Sequence, residues 1–91
     1  MSVRVQLPPV LRNVMSGQRW LEASGRTVCE ALRDLSAKHP LLALHLFDEQ
    51  GTVRHNIVCL HEGALVRARE MRTHEVQTGD ELVLANALAG G

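Results

Sequence analysis

Only one stretch of this 91-residue chain, Thr27 to Pro40, has the period of an amphipathic helix, and strand-like runs flank it on both sides. Thr27-Val28-Cys29-Glu30 matches a capping box: the threonine hydroxyl accepts from the Glu30 amide while the Glu30 carboxylate reaches back. Val28, Leu32 and Leu35 then recur at i, i+4 and i+7 with Ala31 beside them, and Glu30, Arg33, Asp34 and Lys38 fall on the other side. Pro40 stops the helix after about three turns. A single one-sided helix has to bury its stripe against something, and the partner that the rest of the chain offers is a sheet.

Val3, Val5 and Leu7 alternate with Arg4 and Gln6, the period of a strand with one buried face, until Pro8-Pro9 ends the run. Gln18 to Ala23 reads as a second strand closed by Ser24-Gly25, so the first two strands form an antiparallel hairpin with a long connection. Leu41 to Phe47 is expected as one irregular or 3₁₀ turn at the core edge, followed by a turn at Asp48-Glu49-Gln50-Gly51. Asn56 to His61 and Ala64 to Arg67 are two further strands around Glu62-Gly63, with their register open. Residues 68 to 76 read as polar and irregular, with Arg69, Arg72 and His74 solvated. Thr78-Gly79-Asp80 turns into a last strand, Glu81 to Asn86. The order implies an α+β fold, and a right-handed crossover puts the last strand parallel to the first in the sheet's centre.

Ten basic residues balance ten acidic ones, so no long-range field draws the chain to nucleic acid or to anionic lipid. Trp20 and Phe47 are the only large aromatics, too few for a stacking platform. The N-terminal run lacks the apolar core of a signal peptide, and nothing approaches the length of a membrane span; the expected location is the cytoplasm. Cys29 and Cys59 lie thirty residues apart without a CxxC, which argues against zinc, iron-sulfur or redox-dithiol chemistry. Both read as small buried hydrophobes in a reducing compartment, with a single disulfide as the other option. His39, His45, His55, His61 and His74 show no ligand spacing with a cysteine or carboxylate and read as surface or structural; no metal site is expected.

The chain ends Ala89-Gly90-Gly91. At average glycine content roughly one chain in two hundred ends Gly-Gly by chance, so the ending acquires meaning only from what precedes it. Glycines let a backbone enter a narrow channel in conformations closed to other residues. Ala87 to Gly91, fully extended, span at most about 17 Å.

The element order, together with Leu7-Pro8-Pro9-Val10-Leu11-Arg12, Gly17-Gln18, Ala23-Ser24-Gly25-Arg26-Thr27, Asp34-Leu35, Gly79-Asp80-Glu81-Leu82 and the Gly90-Gly91 ending, resembles the ubiquitin-like sulfur carriers. These include the small subunit of molybdopterin synthase, the thiamine-pathway carrier and the carrier of thiocarboxylate-dependent cysteine synthesis, and the local motifs are most similar to the last group. Two stretches depart from the pattern. Cys59-Leu60-His61-Glu62-Gly63 stands where an apolar strand and an asparagine-acidic turn are common, and Asn86-Ala87-Leu88 replaces a proline-containing stretch.

The resemblance implies a β-grasp fold: a mixed sheet of four to five strands with one main helix across one face, a domain over residues 1–86 and a flexible tail over 87–91. It also implies that the Gly91 carboxylate is adenylated by a ubiquitin-activating-type enzyme using ATP and magnesium, and is then converted to a thiocarboxylate. Leu88, Ala89 and Gly90 would enter the partner's active site, with Leu88 either anchoring the tail there or folding back on its own core. A sulfur-accepting biosynthetic enzyme would be the second partner. The chain itself would hold no cofactor and supply no catalytic group.

Alternation places Trp20, Val83 and Ala85 on the face away from the helix, a candidate docking surface for the activating enzyme, although Trp20 also suits simple edge packing. Arg67, Arg69 and Arg72 read as a solvated face available to an acidic partner. Four roles remain open: sulfur carrier in cysteine or other sulfur-metabolite biosynthesis, small subunit of molybdopterin synthase, protein modifier joined to lysines, and a non-covalent β-grasp binding module.

Overall fold

The structure is a computed structural model describing residues 2–87. Its elements are β1 (Val3–Gln6), α1 (Pro9–Arg12), β2 (Trp20–Ala23), α2 (Val28–Lys38), α3 (Pro40–Leu46), β3 (Ile57–His61), β4 (Ala64–Arg67), a 3₁₀ turn (Ala68–Glu70) and β5 (Glu81–Asn86). Five strands form one sheet in the order β2-β1-β5-β3-β4. β5 is central: it runs parallel to β1, with Val5 opposite Leu82, and antiparallel to β3, with Cys59 opposite Leu84. β1 and β2 pair antiparallel, as do β3 and β4. This is the ubiquitin-like β-grasp architecture that the element order led one to expect.

Helix α2 starts where its cap requires. The Thr27 hydroxyl accepts from the Glu30 amide at 3.1 Å, and the Glu30 carboxylate reaches back to the Arg26 amide at 2.9 Å. The next free amides at this helix start donate outward, Val28 to the His74 carbonyl at 3.0 Å and Cys29 to that of Met71 at 3.0 Å. The segment after β4, expected to be irregular and solvated, thus supplies acceptors to a helix N-terminus that lacks intrahelical ones. Met71 is wholly buried beneath it, and His74 is half-buried rather than solvated; Arg69 and Arg72 are exposed as expected.

Pro40 ends α2 but does not end helical structure. It occupies the first turn of α3, where a proline amide is not needed and its fixed φ suits the helix, so Leu41 to Leu46 are helical instead of forming an irregular turn. Leu42 and Leu46, four residues apart, are both fully buried and anchor α3 beside α2. Pro9 acts in the same way in the four-residue α1, which buries Leu11 within a connection expected to be loop.

The core lies between the sheet and the helices. Val3, Val5, Leu21, Ala23, Cys59, Leu82 and Leu84 project from the strands onto Val28, Leu32, Leu35, Leu42 and Leu46. Each buried branched side chain contributes about 1.5–3 kcal/mol relative to exposure. Both cysteines are buried free thiols.

Candidate functional site

The sheet's second face carries no helix. Pairing registers place Trp20, Gln6, Val83, Leu60 and Leu65 in one row across all five strands. Ala85, Val58 and Arg67 form the adjoining row. Leu60 and Leu65 are 42% and 49% exposed, while Trp20, Val83, Val58 and Ala85 are half-buried. A mostly apolar stripe therefore crosses a face whose opposite side is the core.

Trp20, Val83 and Ala85 do share this face, as alternation required, but Trp20 is not a free anchor. The Arg4 guanidinium lies 4.3 Å from its ring centroid, and the same guanidinium pairs with Glu81 at 3.0 Å. A cation over the indole face covers part of the surface a partner would use. The bulk of the exposed apolar area comes instead from Leu60 and Leu65. A local signal for them exists in the two-residue Glu62-Gly63 loop, where both residues have positive φ, 50° and 83°, as a tight hairpin turn demands. Such a turn sets His61 opposite Ala64 and hence Leu60 opposite Leu65.

The C-terminal end of the central strand lies beside this face. Asn86 pairs with Ile57, and the Ala87 amide still donates to the Asn56 carbonyl at 2.7 Å, so sheet hydrogen bonding continues one residue into the expected tail. Leu88, Ala89, Gly90 and Gly91 lie outside the described residues. Val10, Leu44, Arg54, Asn56 and Asn86 border a shallow depression at this end of the sheet.

Neither cysteine is a suitable nucleophile or sulfur-bearing group. Burial pushes the Cys59 thiol up to about 12, against a smaller opposing pull from the Val83 backbone, so its reactive thiolate is scarce at neutral pH. Cys29, in the first turn of α2, is 6% exposed. His45 and His55 are exposed, and His61, 8% exposed, is a buried histidine with a carboxylate partner that local spacing did not reveal, its Nε2 2.8 Å from Asp80 Oδ2 and its Nδ1 2.9 Å from His74 Nε2. Nineteen residues separate His61 from Asp80, a distance that spacing rules do not cover. Among the described residues, no helix is long and apolar enough to cross a membrane.

The model of the ThiS family matches residues 5–91, through the terminal glycine pair. The chain belongs to the ThiS family. The general role of this family is that of small ubiquitin-like sulfur carriers, and this chain shares their fold. CysO of Amycolatopsis orientalis, whose crystal structure is a complex with BexX, is 31% identical with a TM-score of 0.79, over 98% of this chain and 99% of that one. Small archaeal modifier protein 1 of Haloferax volcanii is 28% identical with a TM-score of 0.80, over the full length of both chains. Its counterpart from Methanosarcina acetivorans is 28% identical with a TM-score of 0.78, over 99% and 96%. Among curated proteins, none matches the sequence.

Proposed function

We propose that this ThiS-family chain carries sulfur as a C-terminal thiocarboxylate on Gly91 and delivers it to a biosynthetic enzyme that forms cysteine or another sulfur-containing metabolite. The observation carrying the proposal is a family match that runs through Gly91 on a chain whose last strand is the centre of the sheet. A ubiquitin-activating-type partner supplies ATP and magnesium. The Gly91 carboxylate attacks the α-phosphate, pyrophosphate leaves, and the resulting acyl-adenylate has a good leaving group where a free carboxylate has none. Hydrosulfide delivered by a donor then displaces AMP. Positioning and charge stabilisation on the phosphates belong to the partner, and the apolar row through Leu60, Leu65 and Val83 is the surface offered to it. Leu88, Ala89 and Gly90 form the part of the chain that enters its channel.

Similarity to CysO favours a cysteine- or metabolite-forming acceptor over the small subunit of molybdopterin synthase. The test is to incubate the chain with an adenylating enzyme from its own organism, ATP, magnesium and sulfide, and to record the intact mass. One oxygen-to-sulfur exchange, absent when Gly90 and Gly91 are deleted, is the expected result. Failure to exchange, with an enzyme that loads another carrier in the same assay, overturns the proposal.

Similarity to two small archaeal modifier proteins favours a second use of the same activated carboxylate, transfer to lysine amines. Isopeptides bearing Leu88-Ala89-Gly90-Gly91 remnants in cell digests would establish it. Lys38 is the chain's only lysine, so self-conjugates through a lysine map there.

A further inference from the structure

At the end of the sheet opposite the tail, two tight turns bring together three side chains that the carrier chemistry does not use. His61 closes β3, Glu62 follows it in the β3–β4 turn, and Asp80 ends the turn before β5. One donor atom from each lies within 4.8 Å of the other two. His61 Nε2 is 2.8 Å from Asp80 Oδ2 and 3.9 Å from Glu62 Oε1. We propose that His61, Glu62 and Asp80 form a binding site for a divalent transition-metal ion of the zinc class, with His74 orienting the His61 ring.

The donor set fits such an ion. One imidazole and two carboxylates offer borderline nitrogen and hard oxygen ligands without a thiolate, and the two carboxylate charges balance a dication. Ligand bonds of about 2.0–2.2 Å in tetrahedral geometry set neighbouring donors about 3.3 Å apart. The His61–Asp80 distance of 2.8 Å therefore opens by about half an ångström and the His61–Glu62 distance of 3.9 Å closes by a similar amount, both within side-chain adjustment. The fourth position is left to water.

The groups behind the ligands are already placed. His61 Nδ1 meets His74 Nε2 at 2.9 Å, with the two rings nearly perpendicular. A histidine bound to metal through one nitrogen characteristically bonds through the other to a second group that fixes its orientation. Without metal, His61 Nε2 faces the Asp80 carboxylate at 2.8 Å, a contact in which the ring nitrogen is the donor. With metal on Nε2, His61 Nδ1 is the nitrogen left to bond to His74 Nε2, which fixes the ring. Asp80 is held by the Gln77 amide, which donates to Oδ2 at 2.8 Å.

Access and backbone agree with this assignment. The Asp80 side chain is 18% exposed and that of Glu62 75%, while a cleft lined by Leu60, Glu62, Gly63, Gly79, Asp80 and Glu81 opens the site to solvent. Glu62 takes a left-handed φ of 50°, where asparagine, aspartate or glycine is the ordinary choice. A glutamate held there next to His61 puts a third donor at the site. Bound metal would join the β3–β4 turn to the start of the central strand, at the end of β5 away from Asn86.

The experiment is calorimetric titration of the chelator-washed full chain with zinc alone, paralleled by cobalt(II) absorption. One ion per chain in the micromolar range, a tetrahedral cobalt spectrum and a raised melting temperature are expected. Glu62→Gln and Asp80→Asn should each weaken binding at least about tenfold, and His74→Gln about tenfold through loss of ring orientation. His39→Gln, His45→Gln and His55→Gln, combined, should leave it unchanged. Glu62 is exposed, so its variant keeps the test valid should His61→Ala fail to fold. Absence of binding, or binding that survives Glu62→Gln with Asp80→Asn, or that disappears with the three other histidines, overturns the site.

Discussion

Val5 of the first strand lies beside Leu82 of the last in parallel register, and neither exposes any surface. Residues at opposite ends of the chain thus hold the sheet's centre together, and the strand that leads to the C-terminus is buried on one face and paired on both edges. Leu82→Ala should cost about 2–5 kcal/mol, the range for truncating a core leucine. Leu65→Ala, half-exposed on the open face, should stay within about 0.5 kcal/mol. Urea unfolding checks both through the midpoint, with the slope unchanged.

Leu60 sits in the apolar row with no helix over it, so a charge there meets solvent in the free chain and a desolvated contact in a complex. Leu60→Asp should leave the melting temperature close to wild type while slowing sulfur loading about tenfold, equivalent to about 1.4 kcal/mol of lost partner binding. Leu41→Asp, more solvent-facing still but on α3, should load normally. Single-turnover loading rates measured beside thermal melts separate the two effects.

Gly25 comes close to the start of α2. A Cβ there would lie 2.6 Å from the Ala31 nitrogen and 2.9 Å from the Glu30 carbonyl carbon, both of them backbone atoms that a side-chain rotation cannot clear. Gly25→Ala should destabilise the fold by about 1–3 kcal/mol through this overpacking. The midpoint of chemical denaturation is the readout, and Gly51→Ser, at a glycine with open space around it, shows the separate effect of a positive φ.

Cys59, with its thiol pushed up to about 12, should resist alkylation by iodoacetamide in the folded chain at mildly alkaline pH and react once the chain is denatured. Replacing Cys29 and Cys59 with alanine together should leave sulfur loading intact, because the proposed cargo is carried on Gly91 and both thiols are buried. Mass spectrometry of alkylated and of sulfur-loaded protein checks the two halves independently.

Asp34 accepts from Lys38 at 2.8 Å and from the Ser24 amide at 2.9 Å; the lysine bond first and the amide second hold its carboxyl below the usual aspartate value. A folded pKa below the unfolded one, about 3.9, stabilises above the unfolded value and loses that contribution as pH falls through the folded one. Asp34→Asn should therefore cost about 1 kcal/mol at neutral pH and make stability flatter below pH about 4. Denaturation midpoints across the acid range test it.

Most of the scaffold was legible because its signals are local. The Thr27–Glu30 cap, the alternation in Val3 to Leu7, the apolar run Leu82 to Ala85 after the Thr78-Gly79-Asp80 turn, and the breaks at Pro8 and Pro40 each act within a few residues, and the elements follow them. Where a local signal had two physical meanings, the structure chose between them: Pro40 both stops α2 and opens α3, because the buried pair Leu42 and Leu46 rewards another helical turn.

The sequence by itself determined the strand and helix periods, the continuous apolar run of β5, and the Gly90-Gly91 ending on which the proposed carrier chemistry rests. Only the tertiary structure decided what meets across the chain: Arg4 over Trp20, Leu60 beside Val83, and His61 between Asp80 and His74. Side-chain period is a property of neighbouring residues, whereas register and long-range contacts arise from closing loops of tens of residues around a shared core, and no spacing of three or four residues encodes them.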